Sequence, residues 1–127
     1  MAKLDGIYKC MICGNVAEVL TDGGVNMKCS GQDMALMDEN TEDAATEKHV
    51  PLDENNEGNV IVKVGEVPHP MEEKHYIQMI ELIKDGKVIA SKRLFPGQEP
   101  VAEFCLDDTE GITARILCNI HGVWKNQ

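Results

Sequence analysis

Residues 76–89, YIQMIELIKDGKVI, distinguish a helical fold from a β fold for this chain. From Tyr76 to Ile83, apolar residues recur at every second or third position, a spacing that fits either a strand or a helix. The dipeptide Asp85-Gly86 favours strands, because Asp-Gly between two apolar runs signals a two-residue hairpin turn with positive φ at both positions. The sequence therefore predicts an antiparallel β-hairpin here.

Further strands are predicted on both sides of this hairpin. Strand-forming runs cover Asn59 to Val64, Val101 to Leu106 and Ile112 to Cys118, and the turn-rich residues 107–111 separate the last two. Strands that recur at such short intervals are typical of an antiparallel β-sandwich. The predicted fold class is therefore mostly β, with the sandwich domain over residues 38–127.

A smaller domain is predicted before the sandwich, over residues 1–37. Its Cys10-Met11-Ile12-Cys13-Gly14 has the form of a metal-binding knuckle. A short strand from Val16 to Leu20, a turn at 21–24 and a returning strand from Val25 to Cys29 are expected to follow. A unit of this length buries little apolar surface. It therefore usually needs a metal or a partner surface to be stable.

Length and composition limit the classes of function. The chain has 127 residues, 43% of them hydrophobic, and a formal net charge of −10. This charge argues against a nucleic-acid partner, because binding to phosphates requires a basic face. No apolar run is long enough to span a membrane and no hydrophobic signal core is found at the N-terminus, so we expect no membrane partner and a cytoplasmic location. The acidic stretch from Asp38 to Glu47 is predicted to be a linker or surface loop.

The candidate metal ligands of the sandwich are histidines and a cysteine. All four histidines of the chain lie in loops or at the edges of predicted strands: His49, His69, His75 and His121. A short loop between Cys118 and His121 can turn both side chains to one ion, and His69 is held between two prolines in a rigid segment. Imidazole and thiolate ligands fit zinc, iron or copper. A fifth donor exceeds the four of a structural zinc site, which favours iron.

The N-terminal cysteines form a second constellation. Cys10 and Cys13 are half of a knuckle site, and only Cys29 follows them, with Ser30 next to it. Three thiolates and a serine oxygen make a poorer tetrahedral site than four thiolates, which leaves iron, zinc and an empty site open. Cys105 lies in a predicted strand and is expected to be a small buried side chain without a ligand role.

Three motifs together resemble the desulfoferrodoxins, the two-domain superoxide reductases. They are Glu47-Lys48-His49-Val50-Pro51, His69-Pro70-Met71-Glu72-Glu73-Lys74-His75 and Cys118-Asn119-Ile120-His121-Gly122, and the likeness runs along nearly the whole chain. The resemblance implies an immunoglobulin-like sandwich with one mononuclear iron. Its equatorial ligands would be His49, His69, His75 and His121, and Cys118 its axial thiolate. Glu47 would be the sixth ligand in the ferric state, and Lys48 would lie beside the open position.

The resemblance also implies an activity, which is the one-electron reduction of superoxide to hydrogen peroxide in defence against oxidative stress. A rubredoxin-like protein would return the electron, and the chain would form a homodimer. Fuller members carry a second iron on four cysteines of a rubredoxin-like N-terminal domain. Cys10, Cys13 and Cys29 match three of those positions, and Ser30 stands at the fourth.

Two other functions remain open on the residues alone. The first is a rubredoxin-type electron carrier that uses the N-terminal cysteines, against which Ser30 argues. The second is a non-enzymatic β-sandwich binding module with structural zinc. Zinc has no redox chemistry, so the identity of the metal separates this module from the enzyme.

Overall fold

The computed structural model describes residues 2–40, 51–56, 59–64, 69–106 and 110–125. All regular secondary structure in these ranges is β, which confirms the predicted fold class. The described residues include no helix with the length and hydrophobicity needed to span a bilayer. The chain divides into a small unit, Met1–Asp38, and a larger one, Glu39–Gln127.

The small unit contains five short strands. They are β1 (Ile7–Lys9), β2 (Val16–Glu18), β3 (Lys28–Cys29), β4 (Gln32–Asp33) and β5 (Ala35–Leu36). One sheet has the order β2-β1-β5, and β3 and β4 form a separate hairpin. Ala2, Tyr8 and Val19 form a buried cluster with Met27 and Met34 packed against it. This core is small, as the length of the unit predicts.

The returning strand predicted from Val25 to Cys29 is wrong in extent and in partner. Only β3 forms within that range, and it pairs with β4 rather than with β2. The reason is local, because Ser30 and Gly31 have φ values of 54° and 80°. Two consecutive residues with positive φ make the tight turn that joins two twisted strands, so the chain reverses immediately after Cys29.

The described residues of the larger unit form eight strands in two sheets. They are β6 (Glu39–Asn40), β7 (Pro51–Asn56), β8 (Asn59–Val64), β9 (Ile77–Lys84), β10 (Lys87–Arg93), β11 (Val101–Cys105), β12 (Ile112–Cys118) and β13 (Gly122–Lys125). The sheet orders are β10-β9-β12-β13-β6 and β11-β8-β7. All pairings in these sheets are antiparallel except that of β6 with β13, which is parallel.

Both sheets contribute to one hydrophobic core. From one sheet come alternate residues of β8 together with Ala102, and from the other alternate residues of β12 together with Ile80 and Leu82 of β9. The period of two places one face of each strand inside, as in a sandwich. The predicted antiparallel β-sandwich is therefore confirmed, and its core face extends along β12 to Cys118.

The predicted hairpin joins β9 to β10. Lys84 pairs with Lys87, and the two turn residues Asp85 and Gly86 have φ values of 52° and 77°. This pair of positive angles is the conformation that the Asp-Gly signal predicts, and glycine adopts it without the steric cost of a Cβ.

A β-bulge at the other end of β9 explains the mixed apolar spacing of residues 76–83. Cys118 pairs with Ile77 while Leu117 pairs with Met79, so that Gln78 is an extra residue on β9. A bulge lets residues three apart face the same side of a sheet. Ile77 and Ile80 are accordingly both completely buried.

Several elements differ from the prediction. Strands β7 and β13 are not predicted, and β6 occupies the start of the acidic stretch that was expected to be a linker or loop. Residues 41–47 of that stretch lie outside the described residues. Cys105 is exposed, contrary to the prediction, because it faces outward from β11, and its thiol donates a hydrogen bond to Asn59 Oδ1 at 2.8 Å.

Candidate metal centres

Four of the predicted ligands converge at one end of the sandwich. Each of them offers one donor atom, and all four atoms lie within 4.8 Å of one another: His69, His75, Cys118 and His121. Cys118 and His69 are buried, His75 is partly buried and His121 is exposed. The cluster therefore has a closed side formed by the protein core and an open side at the surface.

Strand β12 positions the thiol of this cluster. Cys118 is the last residue of β12 and shares the core face with Ala114 and Ile116, because side chains alternate along a strand. Its Sγ lies 3.8 Å from His69 Nε2 and 3.9 Å from His121 Nδ1. The thiol is thus carried by a strand and lies at the buried side of the cluster.

A backbone contact fixes the tautomer of His69. Its Nδ1 lies 2.8 Å from the carbonyl oxygen of Pro70, and a carbonyl can only accept a hydrogen bond. The proton of the neutral ring is therefore on Nδ1, which leaves the lone pair on Nε2, the atom beside Cys118. Outer contacts of this kind orient histidines that bind metals.

Asn119 joins the two loops that carry the other ligands. Its Oδ1 accepts a hydrogen bond from Tyr76 N at 2.9 Å, and its Nδ2 donates one to the carbonyl oxygen of Lys74 at 3.0 Å. These contacts bracket His75 and fasten its loop to the loop that runs from Cys118 to His121. No role is predicted for Asn119 from the sequence, because both of its hydrogen-bond partners are backbone atoms of a distant segment.

The end of the second loop is also ordered. Trp124 Nε1 donates a hydrogen bond to the carbonyl oxygen of His121 at 3.0 Å. Gly122, with a φ of 86°, turns the chain from His121 into β13. The rings of His75 and His121 are nearly perpendicular, with centroids 5.0 Å apart, as are those of His69 and His75 at 4.7 Å.

The spacing of these donors fits a bound transition metal. Two donors held about 2.3 Å and 2.1 Å from one ion are roughly 3.1 to 3.6 Å apart for angles between 90° and 109°. The sulfur–nitrogen distances of 3.8 and 3.9 Å need to shorten by less than about 1 Å to reach that range. Three imidazoles and a thiolate are ligands of zinc, copper or iron, so the residues fit the metal that the sequence implies.

The remaining predicted residues of this centre are Glu47, Lys48 and His49. All three lie outside the described residues. The structure therefore brings together three of the four predicted histidines and the predicted cysteine.

A second cluster lies in the small unit, where Cys10, Cys13 and Cys29 have their sulfur atoms within 4.8 Å of one another. The sulfurs of Cys13 and Cys29 are 3.5 Å apart. The Ser30 hydroxyl oxygen lies 3.6 Å from Cys10 Sγ and 3.8 Å from Cys29 Sγ. The tight turn after Cys29 thus places Ser30 at the fourth corner of the group.

The surroundings of Cys10 favour its thiolate. Hydrogen bonds from the backbone of Cys13, from the Ser30 hydroxyl and from the backbone of Ile12 lower the pKa of Cys10 to about 6. The pKa of Cys29 is raised, first by a hydrogen bond with Cys13 and then by one with Cys10. Cys10 therefore forms the thiolate that binds metals more readily than Cys29 does.

Comparison with known families accounts for both units. The family model described as "Desulfoferrodoxin, N-terminal domain" matches residues 2–37, and the model described as "Desulfoferrodoxin" matches residues 41–127.

Individual proteins are similar over nearly the whole chain. A desulfoferrodoxin of Desulfarculus baarsii is 55% identical over 119 residues, which are 94% of this chain and 93% of the relative. A desulfoferrodoxin homolog of Archaeoglobus fulgidus is 48% identical, with 99% of each chain covered. The crystal structure of the superoxide reductase from Treponema pallidum aligns with a TM-score of 0.74 at 27% identity, with 96% of this chain and 97% of that chain covered.

Proposed function

This chain belongs to the desulfoferrodoxin family, and from that membership and the geometry of the larger unit we propose that it is a superoxide reductase. One observation carries the proposal, which is the convergence of the buried Cys118 thiol with three histidines at a site open to the surface. A site that is closed on one side and open on the other suits a small substrate that approaches from solvent.

The proposed ligands are four histidines and one cysteine: His49, His69, His75, His121 and Cys118. An iron ion held by them would supply one electron to superoxide, and with two protons superoxide would leave as hydrogen peroxide. The role of Cys118 is to place a negative, strongly donating sulfur against the protein side of the site. Thiolate ligation of this kind raises electron density at a metal, as it does in thiolate-ligated haem.

The anionic substrate requires local positive charge, because the chain as a whole carries −10. In the proposal Lys48 supplies this charge at the open side, with Lys74 as a second cation, and it orders the water that gives the protons. Lys74 is exposed next to His75, which supports its part in attracting superoxide. Glu47 would supply a further oxygen ligand to the iron after peroxide has left.

The electron donor, the location and the oligomeric state are proposed from the sequence and the family resemblance. An external one-electron donor, a rubredoxin-like protein, restores the reduced site. The chain acts in the cytoplasm as a homodimer.

A stoichiometric experiment tests the proposal. Anaerobic protein, loaded with Fe²⁺ and free of reductant, is mixed with less than one superoxide per iron, and hydrogen peroxide and dioxygen are both measured. We expect one hydrogen peroxide for each superoxide consumed and no dioxygen, whereas dismutation releases dioxygen for half of the superoxide. Dioxygen release, or no faster loss of superoxide than in buffer, would refute the proposal. Cys118→Ala is expected to abolish the reaction, and Cys105→Ser, a change at an exposed cysteine outside both clusters, to leave it intact.

A further inference from the structure

In the small unit Ser30 stands where the family resemblance predicts a fourth cysteine. The side chains around Ser30 are arranged for a metal site with three sulfurs and one oxygen. We propose that Cys10, Cys13, Cys29 and the hydroxyl of Ser30 form a tetrahedral site for a thiophilic divalent cation, with zinc as the best-matched ion. This inference does not depend on the activity proposed for the larger unit.

The distances carry the inference. In a tetrahedral zinc site with Zn–S of about 2.3 Å and Zn–O of about 2.1 Å, two sulfurs are roughly 3.8 Å apart and a sulfur and an oxygen roughly 3.6 Å apart. The Cys13 and Cys29 sulfurs are 3.5 Å apart. The Ser30 oxygen is 3.6 Å from Cys10 Sγ and 3.8 Å from Cys29 Sγ. These three donor–donor distances lie within about 0.3 Å of the tetrahedral values, and the three sulfurs all lie within 4.8 Å of one another.

The surrounding hydrogen bonds suit thiolate ligands. The backbone N–H of Cys13 points to Cys10 Sγ at 3.5 Å, and Asn15 Nδ2 points to Cys29 Sγ at 3.8 Å. Such donors stabilise the negative charge that three sulfurs carry when they bind a metal. Cys10 is buried and Cys13 is exposed, so the site lies at the surface of the unit with one sulfur inside.

The donor set decides between zinc and a redox-active iron. Zinc has no geometric preference from d-electrons and accepts sulfur and oxygen ligands together. A neutral hydroxyl in place of the fourth thiolate removes one negative charge from the site. This loss destabilises bound Fe³⁺ more than a bound divalent ion, because the attraction grows with the charge of the ion. The site is therefore expected to hold the small unit together without carrying electrons.

Cobalt binding tests this site directly, because Co²⁺ occupies zinc sites and gives thiolate-to-metal absorption in proportion to the number of thiolates. The full-length chain carrying Cys118→Ala and Cys105→Ser, which leaves cysteines only in the small unit, is freed of metal under a reductant that does not bind metals and is titrated with Co²⁺. We expect thiolate-to-cobalt absorption that saturates with a single thiolate-bound ion per chain. A further Ser30→Cys change should raise its intensity to about four thirds, because a fourth thiolate is added.

Ser30→Ala is the matched variant for the hydroxyl, since serine, alanine and cysteine all carry a Cβ at this positive-φ position. It should keep the three-thiolate absorption, shift the cobalt d–d bands and weaken binding about tenfold. An unchanged spectrum and affinity would show that Ser30 is not a ligand. Absence of thiolate absorption in the chain with Ser30, together with its presence in Ser30→Cys, would refute the site.

Two further measurements complete the test. Zn²⁺ should displace the cobalt and bleach the absorption more effectively than Fe²⁺, and the opposite order would contradict the choice of ion. If the chain carrying Cys118→Ala and Cys105→Ser does not fold, the difference between the unaltered chain and Cys13→Ala supplies the spectrum of the site, to be read by the same criteria.

Discussion

At the scale of single residues, the activity proposed here depends on a cation beside an anionic substrate. Lys48→Ile should slow the reaction with superoxide by about tenfold and weaken its dependence on ionic strength, because salt screens the attraction that this lysine provides. Stopped-flow measurements over a range of salt concentrations check this. Lys87→Ile is the control. Lys87 is exposed and pairs with Lys84 at the last residue of β9, whereas the candidate site lies near the first residue, Ile77. Equal slowing in both variants would show that superoxide is not attracted by Lys48 in particular.

Glu47 has a separable role in the same proposal. Glu47→Ala should leave the first step with superoxide at its normal rate and change only the absorption spectrum of the oxidised resting protein. Stopped-flow kinetics and the spectrum of the oxidised form are measured on the same sample. A large loss of rate in the first step would show that Glu47 takes part before the product leaves.

A buried ion pair joins Arg115 of β12 to Glu81 of the neighbouring strand β9. Arg115 donates two hydrogen bonds to Glu81 Oε1, from Nε at 2.9 Å and from Nη2 at 2.7 Å, and Glu81 is fully buried. Removal of one partner leaves a buried charge without its counter-ion, so Arg115→Met should lower the free energy of unfolding by about 3–5 kcal/mol. The double change Arg115→Met with Glu81→Leu should recover most of that loss in urea unfolding. Equal stability of the single and double variants would contradict this account.

At the scale of structural elements, the β9–β10 turn should be sensitive to glycine replacement. A Cβ at Gly86 would meet no atom within 4 Å, so the cost arises from its φ of 77° alone. Gly86→Ala should destabilise the larger unit by about 1–2 kcal/mol in urea unfolding. Asp85→Asn in the same turn should stay within about 0.5 kcal/mol, because asparagine tolerates positive φ. A neutral Gly86→Ala would show that the turn is not held in this conformation.

Asn119 holds the loop that carries His75, one of the candidate ligands of the larger unit. Asn119→Ala removes the two side-chain hydrogen bonds that bracket His75, and loss of such outer contacts typically weakens metal binding about 10- to 100-fold. Competition with a chelator measures the affinity. Ile120→Ala, at the exposed neighbouring position, is the control and should bind metal as the unaltered chain does. A normal affinity in Asn119→Ala would mean that the ligands are positioned without this contact.

The elements also show how far the sequence predicts this structure. The hairpin at Asp85-Gly86 and the strand from Asn59 to Val64 are predicted because their local signals agree with their environment. Strand β7 is not predicted, since Pro51–Asn56 is mostly polar and its strand forms through pairing with β8. The turn at Ser30 is missed because Ser-Gly is a weaker signal than Asp-Gly.

The candidate site divides in the same way. Residue types and spacing mark the side chains that the structure brings together at Cys118 as candidate donors, because imidazole and thiolate are ligands of transition metals. Their assignment to one iron comes from the family resemblance. Asn119 could not be assigned from sequence, since its partners are backbone atoms of Lys74 and Tyr76, more than 40 residues earlier in the chain. Contacts between distant segments depend on register, which local patterns do not specify.

At the scale of the whole molecule, the two units each have their own buried cluster and their own group of side chains that could hold a metal ion. Cys13→Ala should therefore make residues 1–38 more sensitive to proteolysis, because the proposed metal contributes much of the folding energy of so small a core. The absorption and the superoxide reaction of the larger unit should remain. Loss of that reaction would show that the first cluster takes part in the activity.

The central claim is that the larger unit holds a redox-active iron on histidines and Cys118. Its most direct test is the metal content per chain of protein made with ample iron, together with visible spectra before and after reduction by ascorbate. We expect about one iron per chain and a thiolate-to-iron band that bleaches on reduction, is absent in Cys118→Ala and persists in Cys105→Ser. Zinc alone, in a colourless protein, would contradict the claim and favour a non-enzymatic binding module.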